Sequence, residues 1–458
     1  MSDPVALFEV QRALAPARRS GFGRAERLAA LEVLRRMVLD NRPAIVAALE
    51  ADFGKHPVET LLSEILPVLQ EIAHARRHLR RWMRPRRVWP GLTGLGASAR
   101  IVPQPKGVAL IIAPWNYPVT LALGPVVSAL AAGCSVILKP SEMVPQTSAL
   151  LASLIAQCFP PDLVAVVEGG PDVATALLAL PFDHIFFTGS PEVGRIVMAA
   201  AARNLTPVTL ELGGKSPVIV GADADLAQAA RWIAWGRFFN GGQTCVAPDH
   251  VFVEATVAAR FSAMIKDETA RMWAEPGNLA RVVNARHGAR LRGLIGDAAA
   301  AGAAVTGGQS AGETALAPTF LEGTTEGMEV SRQEIFGPVL PLIPFSDLDQ
   351  VLARIGAGPK PLALYVFGGR ALADRVVGQT ASGSVGVNLT LLTFSHPNLP
   401  FGGIGNSGLG AAHGHEGFRA FSHERPVLTN RFLPMPMLFP PYGPRVRRLA
   451  ETLLRLVR

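Results

Sequence analysis

Cysteine and charge are both scarce in this chain. Three cysteines, Cys134, Cys158 and Cys245, stand among 458 residues. They supply no disulfide framework and no Cys–His metal spacing, which fits a reducing compartment such as the cytoplasm; no metal ion is expected. Charged residues make up only 17% against 49% hydrophobic, which excludes a disordered chain and implies a large buried interior. No basic segment leads into an apolar one at the N-terminus, so no signal peptide is expected. There is no internal repeat, and the 45 glycines carry no collagen-like period.

The net charge of +8 raises nucleic acid as a partner. The basic residues, however, are scattered as Arg pairs (Arg76-Arg77, Arg80-Arg81, Arg86-Arg87, Arg447-Arg448). No nucleic-acid motif accompanies them, so they read as solvated surface. The stretch between Lys106 and Lys139 is uncharged and long enough to cross a bilayer. Pro114, Asn116, Pro118, Gly124, Pro125 and Gly133 interrupt it, and it reads instead as strand, loop, helix and strand.

A chain of this length implies about two or three domains. Helical spacing of apolar residues covers 24–50 and 58–83, and a less regular section runs over 84–105. Short apolar strands then alternate with helices from Gly107 onward, the rhythm of an open α/β sheet with mostly parallel strands. The alternation resumes after Cys245 and predicts a second α/β domain. The Pro- and Met-rich tail ends in a basic amphipathic helix over 445–458. A docked C-terminal helix is the first reading of it, and weak membrane-surface contact the second.

Glu211-Leu212-Gly213-Gly214-Lys215 and Gly242-Gln243-Thr244-Cys245 carry the most chemistry. A thiol with flexible glycines beside it can attack a carbon centre, and a carboxylate at the end of a parallel strand can activate water in the crevice. Cys134 and Cys158, in apolar contexts, read as inert. Asn116, held between Pro114 and Pro118, suits an aimed oxyanion donor, although a plain turn explains it equally well. Lys139-Pro140-Ser141-Glu142 could meet a dinucleotide's ribose. The Phe187-Thr188-Gly189-Ser190 turn, with Gly194 in the following helix, offers a helix N-terminus to a pyrophosphate, without matching the usual Gly-x-Gly-x-x-Gly spacing. Glu334-Ile335-Phe336-Gly337-Pro338 could bond a ribose and pack a ring. The segment 400–408, Pro-Phe-Gly-Gly-Ile-Gly-Asn-Ser-Gly, reads as a flexible glycine loop.

Pro-Trp-Asn-Tyr-Pro, Lys-Pro-Ser-Glu, Phe-Thr-Gly-Ser, Glu-Leu-Gly-Gly-Lys-Ser-Pro, Gly-Gln-Thr-Cys, Glu-Ile-Phe-Gly-Pro and Pro-Phe-Gly-Gly, in this order, resemble the aldehyde dehydrogenase superfamily across about 24–430. The short N-terminus and Phe421-Ser422-His423 resemble its class 3 branch. Ala51-Asp52-Phe53-Gly54 and Pro440-Pro441-Tyr442-Gly443 look most like bacterial coniferyl aldehyde dehydrogenases. Pro125 stands where the tetrameric branch has an active-site lysine, which fits class 3.

The resemblance implies an α/β fold with two open α/β domains: a Rossmann-like cofactor domain (1–83 and 106–211) and a catalytic domain (212–405). Oligomerisation strands at 84–105 and 418–430 would make a homodimer, followed by the tail at 431–458. It implies oxidation of an aldehyde, aromatic or medium-chain apolar, to the acid with NAD or NADP through a cysteine thioester. Cys245, Glu211 and Asn116 would be catalytic. Trp115, Lys139, Glu142, Thr188, Gly189, Ser190, Gly194, Leu212, Gly213, Glu334 and Phe336 would bind the cofactor. A cofactor-independent thiol hydrolase and a non-catalytic basic binding protein are the competing readings.

Overall fold

The computed structural model describes residues 3–91, 94–275 and 277–456. Residues 1–2, 92–93, 276 and 457–458, which fall within the domains and tail helix read from the sequence, lie outside the described residues. Helices Arg24–Asp40, Arg42–Phe53 and Leu66–Trp82 lead in, preceded by a helix over Pro4–Gly21 that the apolar spacing did not announce. That first helix is held by polar contact: buried Gln11 donates to the carbonyls of Val136 (3.0 Å) and Pro161 (2.9 Å).

Strands β1 (Arg86–Val88) and β2 (Ala97–Pro105) occupy parts of the irregular section. Next come β3 (Val108–Ile112), β4 (Ser135–Lys139), β5 (Val164–Val166), β6 (His184–Gly189) and β7 (Val208–Leu212), with helices between them. The run Val-Ala-Leu-Ile-Ile of β3 is buried on both faces, as expected of a parallel strand covered by helices on either side. The order β7-β6-β3-β4-β5 reverses direction at β3, and the crevice outside the strand ends at such a switch point is where α/β sheets take ligands.

A second sheet contains β8 (Pro217–Val220), β9 (His250–Glu254), β10 (Ala304–Gly307), β11 (Thr319–Glu322), β12 (Val339–Phe345), β13 (Ala363–Phe367) and β14 (Ser384–Val387). Its order is β10-β11-β12-β9-β8-β13-β14, parallel except for β10 against β11. The two-residue strand β15 (Gly408–Leu409) then returns to the first sheet and pairs antiparallel with β7, Gly408 opposite Glu211. The 400–408 segment is therefore not a free loop: Phe401 pairs with Ala412, and its glycines let backbones approach closely, since a Cβ on Gly408 would stand 2.5 Å from the Leu210 carbonyl oxygen.

The 418–430 stretch is not one strand. Helix Gly414–Ala420 runs into it, and β16 (Ser422–Asn430) begins after Phe421, joining β2 and β1 in a separate antiparallel sheet ordered β1-β2-β16. The tail helix spans Pro444–Leu456 and has the short turn Met435–Leu438 as its main neighbour. Its apolar face (Val446, Leu449, Leu453) is half-buried. Among the described residues, no helix is long and apolar enough to cross a membrane, and no group of His, Cys, Asp and Glu has the makings of a metal site.

Candidate active site

Helix Leu226–Phe238 stops at a tight turn in which Asn240 (φ 56°), Gly241 (φ 62°) and Gly242 (φ 73°) are successively left-handed. Glycine accepts this conformation freely, whereas Asn240 must be held there. Its backbone N–H donates to the Glu59 carboxylate (2.9 Å), and its side-chain amide donates to the carbonyls of Asn116 (3.0 Å) and Gln243 (3.2 Å). Beyond the turn, Gln243 donates to the Arg281 carbonyl (3.0 Å) and accepts from Val283 N–H (2.9 Å). Thr244 and Tyr117 share a hydroxyl–hydroxyl bond of 2.6 Å, and Tyr365 donates to the Val246 carbonyl (2.7 Å). Cys245 thus sits in a backbone fixed on both sides.

Asn116, just past β3, is brought to this loop. Its amide donates to the Gln243 carbonyl at 3.0 Å, leaving the second amide hydrogen for another acceptor. Glu211 is buried in β7, and neither carboxylate oxygen has a hydrogen-bond partner among the described residues. Cys245 and Glu211 line one cavity with Thr188, Leu121, Phe394 and Phe401. Burial pushes the Glu211 carboxyl well above the usual range. Burial, then the charges of Glu334 and Glu211, pushes the Cys245 thiol up to about 12. The arrangement offers a nucleophile and an unbonded base around an apolar space, with an aimed N–H donor on the segment bonded to the thiol loop.

Trp115, Glu334 and Phe336 form a second group. Trp115 meets Phe336 edge-on at 5.4 Å and His287 at 5.3 Å. Phe336 has φ 49°, an uncommon conformation for an aromatic, held from both sides of the strand entry. Arg290 donates to the Glu334 (3.2 Å) and Ile335 (2.5 Å) carbonyls, and Asp249 accepts from Ile335 N–H (2.8 Å). Asp249 is in turn bonded to Lys215 at 2.5 Å. Gly213 lies under Glu334, so close that a Cβ there would collide with the carboxylate. Burial and the charge of Asp249 push Glu334 up to about 8.

The third group lies at the ends of β4 and β6. Lys139 bonds Glu142 at 2.7 Å, Lys139 buried and Glu142 exposed. Burial is the largest influence and works against the Glu142 charge, but the bond from Lys139, a backbone N–H and the Lys139 charge together outweigh it and hold the carboxyl below its usual range. At the end of β6, a Cβ on Gly189 would stand 2.5 Å from the Phe187 ring, and one on Gly194 would stand 2.7 Å from Leu212. Ser190 caps the helix Pro191–Arg203 by accepting from Val193 N–H (3.3 Å). Pro191 has no N–H to give, so this turn presents fewer free donors to an anion than the sequence led one to expect. The groups present suit a dinucleotide: an exposed carboxylate bonded to Lys139 for one ribose, and Glu334 beside Phe336 and Trp115 for the other.

Sequence reasoning missed His413, Arg237 and Glu59. His413 (φ 68°) stacks on Phe401 at 5.3 Å, meets Phe394 edge-on at 4.6 Å and borders the thiol cavity; nothing in its neighbours marks it. Arg237 is fully buried and donates to the Pro248 (3.1 Å) and Gly337 carbonyls, tying the thiol helix to the Phe336 turn. An arginine between Gly236 and Phe238 at the end of an apolar helix was its available signal.

Residues 9–427 match the family model described as "Aldehyde dehydrogenase family". The "Probable coniferyl aldehyde dehydrogenase" of Pseudomonas aeruginosa is 43% identical over 93% of this chain and 91% of its own length. The mouse "Aldehyde dehydrogenase family 3 member B2" is 42% identical over 91% of this chain and 88% of its own. Among solved structures, the "Substrate bound state of Staphylococcus Aureus AldH" superposes with a TM-score of 0.94 at 35% identity, covering 99% of this chain and 100% of that one.

Proposed function

Since the chain belongs to the aldehyde dehydrogenase family and oxidises aldehydes with NAD or NADP, we propose that Cys245, Asn116 and Glu211 carry its chemistry. The observation that supports this most directly is that the thiol and the buried carboxylate line one cavity, while the Asn116 amide is bonded to Gln243, two residues before the thiol.

The Cys245 thiol gives up its proton to solvent as Sγ adds to the aldehyde carbon, and the carbonyl electron pair moves onto oxygen. The free Asn116 amide hydrogen and the Cys245 backbone N–H hold that oxyanion, which needs its donors in place before charge develops. The nicotinamide, when bound, supplies the hydride acceptor. The chain's own product is an acyl thioester on Cys245. Glu211 then takes a proton from water, whose oxygen attacks the acyl carbon; the tetrahedral adduct collapses to the carboxylic acid and returns the thiol.

For the cofactor, the sheet of β3 to β7 serves as the dinucleotide-binding domain and the sheet of β8 to β14 as the catalytic one. Lys139 and Glu142 meet the adenosine ribose. Thr188, Gly189, Ser190 and Gly194 line the pyrophosphate path. Trp115, Leu212, Gly213, Glu334 and Phe336 frame the nicotinamide ribose and ring. The Lys139–Glu142 pair presents both signs of charge, so a 2′-hydroxyl and a 2′-phosphate each find a partner.

The apolar cavity walls (Leu121, Phe394, Phe401) favour an aromatic or medium-chain apolar aldehyde, with coniferyl aldehyde the first to try, given the name of the Pseudomonas relative. Among the described residues the outer edge of β16 is unpaired, and it is largely exposed in the three-stranded sheet, which supports a homodimer formed through that sheet. The tail helix sets Arg445, Arg447, Arg448 and Arg455 beside its half-buried apolar face, which supports weak contact with anionic membrane surfaces from the cytoplasm.

Absorbance of the reduced nicotinamide tests the reading. Purified protein with NAD or NADP and a panel of aldehydes gains signal, largest for aromatic aldehydes, and Cys245→Ala abolishes it. Turnover that persists in Cys245→Ala would overturn the assignment.

A further inference from the structure

The segment just before helix Leu66–Trp82 grips the thiol site from behind. Helix Pro57–Thr60 continues into a single wide π-turn, Leu61–Ile65. Five positions apart, Glu59 and Glu64 would stand about 140° apart on a regular α-helix; the wider turn swings them toward one face. Glu64, fully buried, accepts from the backbone N–H groups of Val119 (3.1 Å) and Thr120 (2.9 Å), just past Asn116. It is paired at 2.7 Å with fully buried Lys55, whose Nζ lies 4.0 Å from the centre of the Tyr117 ring. Glu59 reaches the other side and accepts from Asn240 N–H at 2.9 Å. One short stretch therefore holds both the segment carrying Asn116 and the turn leading to Cys245.

We propose that Glu59 is a positioning residue for oxyanion binding, acting through Asn240 and contacting no reactant. Its carboxylate anchors Asn240 in the left-handed conformation, and the Asn240 side chain then spans the Asn116 and Gln243 carbonyls. Gln243 is also the acceptor of the Asn116 amide. The chain of contacts runs Glu59, Asn240, Gln243, Asn116, and it fixes the direction of the amide hydrogen left free. Among the described residues the second Glu59 oxygen has no hydrogen-bond partner, so the bond to Asn240 is the contact this carboxylate makes. Lys55 and Glu64 are less usable probes, because removing either strands a buried charge.

The proposal rests on the roles given to Asn116 and Cys245 above. The test compares Glu59→Leu, Glu59→Gln and Asn240→Gly in the full-length enzyme by rapid mixing, with thermal unfolding beside each. Glu59→Leu should slow the burst of reduced nicotinamide at least tenfold, with KM within twofold and thioester hydrolysis unchanged. Glu59→Gln keeps an acceptor for Asn240 N–H and should restore the burst to within about threefold. Asn240→Gly tolerates the left-handed turn but lacks the bridging side chain, and should show the same defect. Combined with Glu59→Leu it should add nothing further.

A folded Glu59→Leu with a wild-type burst overturns the proposal, as does equal loss in the Gln and Leu variants. If Glu59→Leu does not fold, a wild-type burst in Asn240→Gly overturns it instead. Activity surviving in Cys245→Ala would mark failure of the underlying assignment, not of the positioning role alone.

Discussion

Glu211→Gln should make the protein more stable and less active at the same time. The Glu211 side chain is buried with neither oxygen bonded, and burial pushes its carboxyl well above the usual range. The unfolded chain ionises this group near the ordinary value of about 4.3, whereas the folded chain keeps it protonated to higher pH. Folding must therefore take up a proton. The wild-type contribution is fully favourable below the unfolded value and is lost as pH rises toward the folded one. Each pH unit in that window costs about 1.4 kcal/mol, so from pH 5 to 7.5 the cost grows by at most about 3.5 kcal/mol. Glutamine has the same shape and no proton to take up. With roughly 2.1 cal/mol/K of unfolding entropy per residue, 1 kcal/mol corresponds to about 1 °C in a chain of 458 residues. The variant should thus gain at most about 3.5 °C in Tm over wild type between pH 5 and 7.5, while rapid mixing shows one equivalent of reduced nicotinamide and then no turnover. A Tm difference that does not change with pH would refute the burial argument. Equal loss of burst and turnover would refute the deacylation role.

Three further outcomes follow from the same geometry. Asn116→Ala should slow the burst roughly a hundredfold if its free amide hydrogen holds the oxyanion; an unchanged burst removes it from that role. Glu334→Gln should speed alkylation of Cys245 a few-fold at pH 9 by removing a like charge that raises the thiol. With Glu334 itself pushed up to about 8, the difference should vanish at pH 6, as peptide-resolved mass spectrometry of iodoacetamide labelling can show; equal rates at pH 9 would count against it. Gly242→Ala forces a side chain into a φ of 73° and against the Gly337 carbonyl, so at least about 2 kcal/mol of stability should be lost. An unchanged Tm would show that the thiol turn can shift.

Much of the fold was legible because its parallel strands are short unbroken apolar runs between turn residues. Val108–Ile112 and Ser135–Lys139 needed nothing else. The helix over Pro4–Gly21 was not legible, because it is anchored by Phe8 and by the long-range bonds of Gln11, and most of its other residues are exposed or half-buried. The motif order marked Asn116, Glu211 and Cys245; Glu211 and Cys245 line one cavity, and Asn116 is bonded to the loop that carries Cys245. What the chain could not reveal was the support behind them. Glu59, Lys55 and Glu64 look like ordinary surface charges in sequence, and only folding places them in the interior. The short strand Gly408–Leu409 was equally hidden: two residues carry no periodicity, and glycine is the usual sign of a loop.

That strand also sets a timetable. Glu211 and its edge partner Gly408 stand about two hundred residues apart, the kind of distant pairing that closes late in folding. The whole second sheet is synthesised between them. A nascent chain, or a fragment ending before Gly408, presents the strand of Glu211 as an open edge, with its base on a border able to recruit foreign strands. Chemical competence therefore waits for Gly408, and a premature stop between the start of the second sheet and Gly408 should yield an aggregation-prone product rather than a weak enzyme.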